Sequence, residues 1–321
     1  VEEEIASNRR RSVLFVGLLV LAWFAIGAVG GLLYGWIDST PSPDTYSYSY
    51  TSSSSPASGQ YDWRLPISEG VLIGGLLALG SVIYSIHSGP QLVLRSSGAT
   101  PADPIQYQQL HNIVDALSIG EGIPKPAVYV IDDPSPNAFA TGFSPDKASI
   151  TFTTGLLELM DRDELEGVAS HELSHIKNQD IRLLLVVGTM IGLATFLAVN
   201  IWRIRARGKG ALLIIVVGAL FAVVGFLLGP LIRFALSRRR ESLADACGVE
   251  LTRNPAGLLS ALRKLQASEL PLRTMNHVTA PMCIDDPYEH RESWYRRLYA
   301  THPPIEERIA ALERILSVQV L

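Results

Sequence analysis

Four stretches of this chain contain no Asp, Glu, Lys or Arg: Val13 to Ile37 (25 residues), Gly70 to Ile86 (17), Leu183 to Trp202 (20) and Ala211 to Ile232 (22). A helix needs roughly 20 apolar residues to cross a bilayer, with about 17 to 25 tolerated, so all four read as membrane spans. The second is the shortest and gains length if His87 to Gly89 extend it. The 27 Lys and Arg and the 31 Asp and Glu all fall outside these windows, at a density ordinary for water-soluble protein. The chain is therefore a mosaic of membrane and soluble protein. That excludes a single soluble globular domain, a disordered tail protein and a disulfide-stapled secreted scaffold. Arg9 to Arg11 precede the first window as they would a signal peptide. The window is nevertheless too long for an h-region of about 7 to 15 residues and lacks a convincing small-residue cleavage site, so it reads as a retained anchor.

The net charge of -4 leaves no basic domain for nucleic acid, and the Arg and Lys clusters flank the windows, where lipid head groups account for them. Cys247 and Cys283 form no CxxC pair, which fits a thiol-reducing compartment. A transporter with these spans would carry ionisable residues inside them, and none of the windows does. Ser39 to Ser58, rich in Ser, Tyr, Pro and Thr, reads as a mobile connection between the first two spans.

The soluble segments show helix and strand signals. Asp103-Pro104 predicts a helix start, with Ile105, Leu110, Ile113, Val114 and Leu117 carrying the helix to near Gly120. Ala127 to Ile131 and Ala148 to Thr153 are short β-rich runs, so a small sheet beside helices is expected. Asp161 and Glu164 form a capping box that opens a helix from Arg162 to about Asn178. Further helices are expected over Arg238 to Glu250, from Asn254-Pro255, and over Pro303 to Leu316. No internal repeat occurs.

The capped helix contains His171, Glu172, Leu173, Ser174 and His175. Positions four apart project from one face, so both imidazoles can reach one Zn²⁺, with Glu172 beside them to take a proton from a water that the metal has acidified and to pass it to a leaving amine. A catalytic zinc has three protein ligands, and the extended HExxHxxGxxH form is absent, so the third ligand comes from elsewhere. Glu241 leads on spacing: it and Asp245 are one turn apart, one able to bind metal while the other accepts a hydrogen bond from a ligand imidazole. Taken alone, such a pair is more often a solvated helix face. Glu241 and His171 are separated by two windows, an even number, which returns the chain to one side of the membrane.

Four motifs, Asn137-Ala138-Phe139-Ala140-Thr141-Gly142, HELSHIKN at His171 to Asn178, SRRRESLAD at Ser237 to Asp245 and THPPIEERIAAL at Thr301 to Leu312, together resemble the HtpX family of membrane zinc metalloproteases. These are relatives of the CAAX prenyl proteases among the gluzincins. The resemblance spans nearly the whole chain. It implies one zinc per chain on His171, His175 and Glu241, Glu172 as general base and Asp245 in support. It also implies proteolytic quality control of membrane proteins, with the site facing the cytoplasm. The expected architecture is α+β: a mainly α-helical gluzincin-type metalloprotease domain with a small β-sheet, plus four transmembrane helices. Residues 1–89 hold the first helix pair, 90–182 the first part of the protease domain, 183–237 a membrane hairpin and 238–321 the second part.

Catalysis needs a positive partner for the developing oxyanion, and His302 is the candidate. Arg308 either orients an acid near the metal or holds the last helix. Asn137, Ala138 and Phe139, with Ser149 and Thr151, are expected to wall the cleft and bind substrate, an exposed strand edge adding the substrate as a further strand. The Phe139 side chain itself reads as packing. His87, His111, His277 and His290 lack ligand spacing and read as polar surface or core. Arg238 to Arg240 read as interfacial anchors, or as contacts to an acidic site residue.

The positive-inside rule places the N-terminus in the cytoplasm, with Arg95, Lys177, Arg182, Arg233 and Arg238 to Arg240 on the same side. Arg203, Arg205, Arg207 and Lys209 at the tip of the second hairpin would then lie on the far side: either the tip is translocated and its long side chains snorkel, or the hairpin is partly embedded and does not fully cross. Expected partners are membrane-protein or peptide substrates and the bilayer. CAAX-type processing is the alternative, though four windows leave little room for its chamber; a non-catalytic scaffold is opposed by an intact Glu172.

Overall fold

The computed structural model describes residues 2–39, 62–201, 203–204, 209–268 and 305–319. The chain divides into two compact units, one of Gly17–Val82 and Met190–Leu228, the other of Val1–Val16, Ile83–Thr189 and Gly229–Leu321.

The first of these is helical. It draws on α1 (Glu2–Ser39), α2 (Arg64–Ser96), α6 (Asp180–Ile201), α7 (Lys209–Ala222) and a π-helical turn at Val223–Leu228. Helices α1 and α2 cross where Gly27 meets Gly70 and Gly31 meets Pro66, and Trp23 of α1 stacks on Phe221 with centroids 5.3 Å apart. Leu18 and Leu21 of α1 and Leu72, Leu76 and Leu79 of α2 stay exposed, a surface suited to lipid rather than water. Among the described residues three helices are long and apolar enough to cross a membrane: Val16–Ser39, Arg64–Ser96 and Asp180–Ile201. The fourth window, expected as a span, is represented by the shorter apolar helix Gly210–Phe226, which passes through the π turn into α8 (Gly229–Thr252).

The other unit carries a four-stranded sheet: β1 (Thr100–Pro101), β2 (Ala127–Ile131), β3 (Ala138–Thr141) and β4 (Ser149–Thr153), in the order β1-β2-β4-β3. Strand β4 runs parallel to β2 and antiparallel to β3. Around it pack α3 (Gln108–Glu121), α4 (Thr154–Leu159), α5 (Arg162–Lys177), α8, α9 (Pro255–Ala267) and α10 (Ile305–Gln319). Ile150 and Phe152 of β4, Val114 of α3, Val168 and Leu173 of α5, Leu262 of α9 and Leu312 of α10 share one core.

Local chemistry sets the ends of these elements. At the start of α5 the Asp161 carboxylate accepts the Glu164 N–H (3.0 Å) and Glu164 accepts the Asp161 N–H (2.8 Å), which closes the expected capping box. Glu164 also accepts Ser260 Oγ (2.6 Å) and Lys264 Nζ (2.5 Å) of α9, so a cap that is local in sequence also docks a distant helix. Asn254 caps α9 ahead of Pro255.

The structure corrects two local expectations. Asp103-Pro104 opens a turn rather than a helix: the Asp103 carboxylate accepts the N–H groups of both Ile105 (2.8 Å) and Gln106 (2.9 Å), and α3 begins only at Gln108. It ends at Glu121 because Gly122 takes the left-handed conformation (φ 70°). Within the Asn137 to Gly142 segment, outside the two expected β-rich runs, Ala138–Thr141 form strand β3. Gly142 ends it at φ 143°, where a Cβ would lie 2.6 Å from Ala148 Cα.

Candidate metal centre

Helix α5 is the scaffold. His171 and His175, one turn apart, present their rings to each other nearly perpendicularly, with centroids 4.8 Å and Nε2 atoms 3.2 Å apart. Helix α8 comes close enough to complete the group because it crosses α5 at Gly248, where even a Cβ would lie 3.0 Å from Ser170 Oγ and 3.2 Å from the His171 amide nitrogen. The Glu241 carboxylate of α8 reaches both rings: Oε2 lies 3.4 Å from His171 Nε2 and Oε1 lies 3.4 Å from His175 Nε2. Ligand atoms of His171, His175 and Glu241 all fall within 4.8 Å of one another, and all three residues are buried. Glu172 is buried beside them at 2% exposure.

The outer nitrogen of each ring faces a carboxylate. Asp245 Oδ1 lies 2.9 Å from His171 Nδ1, and Asp180 Oδ2 lies 3.3 Å from His175 Nδ1. A proton held at each Nδ1 leaves each Nε2 lone pair pointing inward, the tautomer a metal ligand needs. Two imidazole nitrogens and one carboxylate, all on buried residues, form the donor set of a catalytic zinc site, so these residues fit that ion. Burial pulls the His175 pKa down, but Glu241 and Asp180 outweigh it and hold the imidazole well above its ordinary range.

Arg308 of α10 closes the group from the far end of the chain. Its Nε and Nη2 donate to Asp245 Oδ2 (2.9 Å) and Oδ1 (2.7 Å), its Nη1 lies 3.7 Å from Glu241 Oε2, and its Nη2 lies 3.4 Å from His171 Nδ1. The contact with Asp245 fits both roles weighed for Arg308, since it holds an acid beside the centre and ties α10 to α8. Burial raises the Asp245 pKa, but the Arg308 guanidinium and His171 overcome this and bring it down to about 2 from 3.8. A lowered carboxyl pKa stabilises the fold above the unfolded value, so this contribution is complete above about pH 4 and is lost as pH falls towards 2. Arg308→Met leaves the buried Asp245 without its counter-charge, an expected loss of about 3 to 5 kcal/mol. Arg308→Lys, which keeps the charge but not the two-pronged contact, should recover only part of it. Thermal and acid unfolding check this: the Met variant should unfold at a pH closer to the ordinary carboxyl range.

Asp180 and Arg240 are residues beside the centre that sequence reasoning missed or left open. Spacing of five from His175 is not a helix-face spacing; the contact exists because the backbone breaks at Gln179 (φ 57°). A lone acid at the head of an apolar window was the available signal. Arg240, weighed as an interfacial anchor or a site contact, is 5% exposed and pairs with Asp180. His302, His277, His290 and Cys283 lie outside the described residues, as do residues 40–58 of the Ser and Tyr-rich connection. His111 Nε2 meets the Ala102 carbonyl and His87 Nδ1 the Ile83 carbonyl, both away from the centre.

The expected substrate edge moves. Strand β4 is flanked on both sides, so the backbones of Ser149 and Thr151 are taken up within the sheet, and both side chains are buried. Phe139 belongs to the core. Thr153 N–H donates to the Asn137 carbonyl (2.9 Å), which turns Asn137, Phe139 and Thr141 towards β4 and leaves the peptide groups of Ala138 and Ala140 on the outer side of β3. Ala138 N–H is taken by Asn137 Oδ1 (2.7 Å).

A family model described as peptidase family M48 matches residues 104–316, which includes every residue of the centre. The chain belongs to peptidase family M48. It is a metalloprotease of that family. A protease HtpX homolog from Thermoanaerobacter pseudethanolicus is 42% identical over 97% of this chain and 96% of its own length. A protease HtpX homolog from Levilactobacillus brevis is 36% identical over 98% of this chain and 99% of its own. Among solved structures, the chain is similar to S. mikatae Ste24p at 20% identity and a TM-score of 0.48, over 74% of this chain and 57% of that one. With its apolar helices, this M48 protease is a multi-pass membrane protein acting on protein substrates.

Proposed function

We propose that the chain is a zinc-dependent endopeptidase of the cytoplasmic membrane, cutting misfolded or damaged membrane proteins on the cytoplasmic side. The observation that carries the reading is the convergence of His171, His175 and Glu241 beside the buried Glu172, on a helix that ends three residues before a membrane-length helix begins. Bound zinc supplies Lewis acidity, polarising a peptide carbonyl and acidifying a water. Glu172 takes the proton from the attacking water on its carboxylate and returns it to the amine that leaves. Asp245 and Asp180 hold the two imidazoles in the ligating tautomer, and Arg308 keeps Asp245 ionised and aimed. His302 supplies a positive partner for the oxyanion.

Substrate backbone pairs with the outer side of β3, the Ala140 N–H and the Ala138 and Ala140 carbonyls being the groups that edge offers. Ala140→Pro removes one donor without touching the β4 ladder, so an increase of about 10-fold or more in KM with little change in zinc content is expected, from the loss of one hydrogen bond and the proline's crowding of the edge. Unchanged peptide kinetics would move the substrate elsewhere.

The proposed function is tested on purified protein in detergent, offered an unfolded membrane protein, the same protein folded, and a prenylated CAAX peptide. Cleavage confined to the unfolded protein, stopped by a chelator and restored by zinc, supports quality control. Preference for the prenylated peptide supports the processing alternative, and cleavage indifferent to chelation ends the zinc reading. Orientation is decided separately by labelling a cysteine placed at Gly208 from each side of sealed vesicles.

A further inference from the structure

The junction between α5 and α6 is two residues long, Asn178 and Gln179, and unusually constrained. Asn178 N–H donates to the Ser174 carbonyl (2.9 Å), Gln179 N–H to the Ile176 carbonyl (3.2 Å), and Gln179 sits in the left-handed region at φ 57°, where a residue with a Cβ is strained. That reversal turns Asp180, the first residue of the membrane-length helix α6, back onto the helix it has just left. The Asp180 carboxylate then has two neighbours: Oδ2 lies 3.3 Å from His175 Nδ1 and Oδ1 lies 3.4 Å from Arg240 Nε. Arg240 also donates from Nη1 to the Asp180 backbone carbonyl (3.1 Å). All of this is buried, with Asp180 at 6% and Arg240 at 5% exposure. Arg240 immediately precedes Glu241, so the guanidinium that grips the first turn of α6 belongs to the helix that brings the carboxylate to the centre.

We infer that Asp180 is a positioning residue for His175 and that Arg240 holds it in place, so that the first turn of a membrane helix sets the orientation of one metal ligand and the register of another. The inference rests on the zinc reading above. Asp245 performs the corresponding task for His171, but it is held from α10, at the other end of the chain; the two imidazoles are thus oriented by independent anchors, one soluble and one belonging to the membrane helix. A buried Arg–Asp pair offers little net stability against an apolar pair of the same size, which is consistent with its being kept for geometry.

The test compares wild type, Asp180→Asn, Asp180→Ala and Arg240→Met in detergent by three readouts: zinc affinity against a competing chelator, melting temperature of the metal-free form, and the kcat and KM of peptide cleavage. Removing a carboxylate that orients a ligand imidazole lowers metal affinity by about 10- to 100-fold. We expect that loss for Asp180→Ala, a smaller one for the nearly isosteric Asp180→Asn, and a loss in the same direction for Arg240→Met, with KM little changed at saturating zinc. Wild-type zinc affinity in Asp180→Asn and Arg240→Met, even with a lowered melting temperature, would show a purely structural pair and overturn the inference. Should Asp180→Ala fail to fold, the other two variants still decide. Absence of zinc binding by the wild type would instead overturn the metal reading, so the two failures are told apart.

Discussion

Glu172→Gln is expected to abolish peptide cleavage while leaving zinc in place. Glu172 is buried at 2% exposure between the two ligand histidines in sequence, and its negative charge is felt by Arg308 across the site. Glutamine preserves the volume and one carbonyl oxygen but cannot accept a proton. General acid–base catalysis contributes about 100- to 10,000-fold, and Glu172 acts both on the attacking water and on the leaving amine, so kcat should fall by at least the upper figure. Because the residue is not a ligand, zinc content and melting temperature should stay near wild type. Single-turnover cleavage together with metal analysis reads both. Retained turnover with full zinc would remove Glu172 from the mechanism.

Glu241→Ala should fail by a different route. It deletes the only carboxylate in the triad and leaves two imidazoles with Nε2 atoms 3.2 Å apart, an arrangement that no longer supplies three donors to a metal. It also takes a negative charge from within 3.7 Å of Arg308, which keeps its two-pronged contact with Asp245. Zinc affinity is expected to fall by several orders of magnitude and activity with it, and the gain in melting temperature on adding zinc should disappear. Glu241→Asp, whose carboxylate falls one methylene short, should bind zinc weakly and regain some activity at high metal concentration. An alanine variant that kept one tightly held zinc would place the third ligand elsewhere.

The chemistry was more legible in the sequence than the sheet that frames it. His171, Glu172 and His175 announce themselves by helical spacing, and the capping box that starts their helix is a local pattern, so both could be read from neighbouring residues. Glu241 needed the resemblance, because an acid pair on a helix has a bland reading that only the approach of α8 to α5 at Gly248 removes. Strand β3 was missed because Ala138 to Thr141 are buried on both faces and so lack alternation, and its four residues give too short a run to register. With β3 in place, β4 becomes an interior strand and loses the free edge it was expected to offer. Asp180 was invisible for a sharper reason: its contact with His175 depends on one left-handed residue, and no periodicity encodes that.

The ligands of the centre are distributed in an order that matters while the chain is being made. His171 and His175 precede α6 and α7, Glu241 follows them, and Arg308, which holds Asp245, comes later still. A growing chain that has emerged only as far as α7 carries two imidazoles and no carboxylate to complete the triad. On the proposed ligand set the centre stays incomplete, and proteolysis through it waits, until both apolar helices have been synthesised. The order of the ligands along the chain thus ties completion of the proposed site to synthesis of the two apolar helices that lie between them.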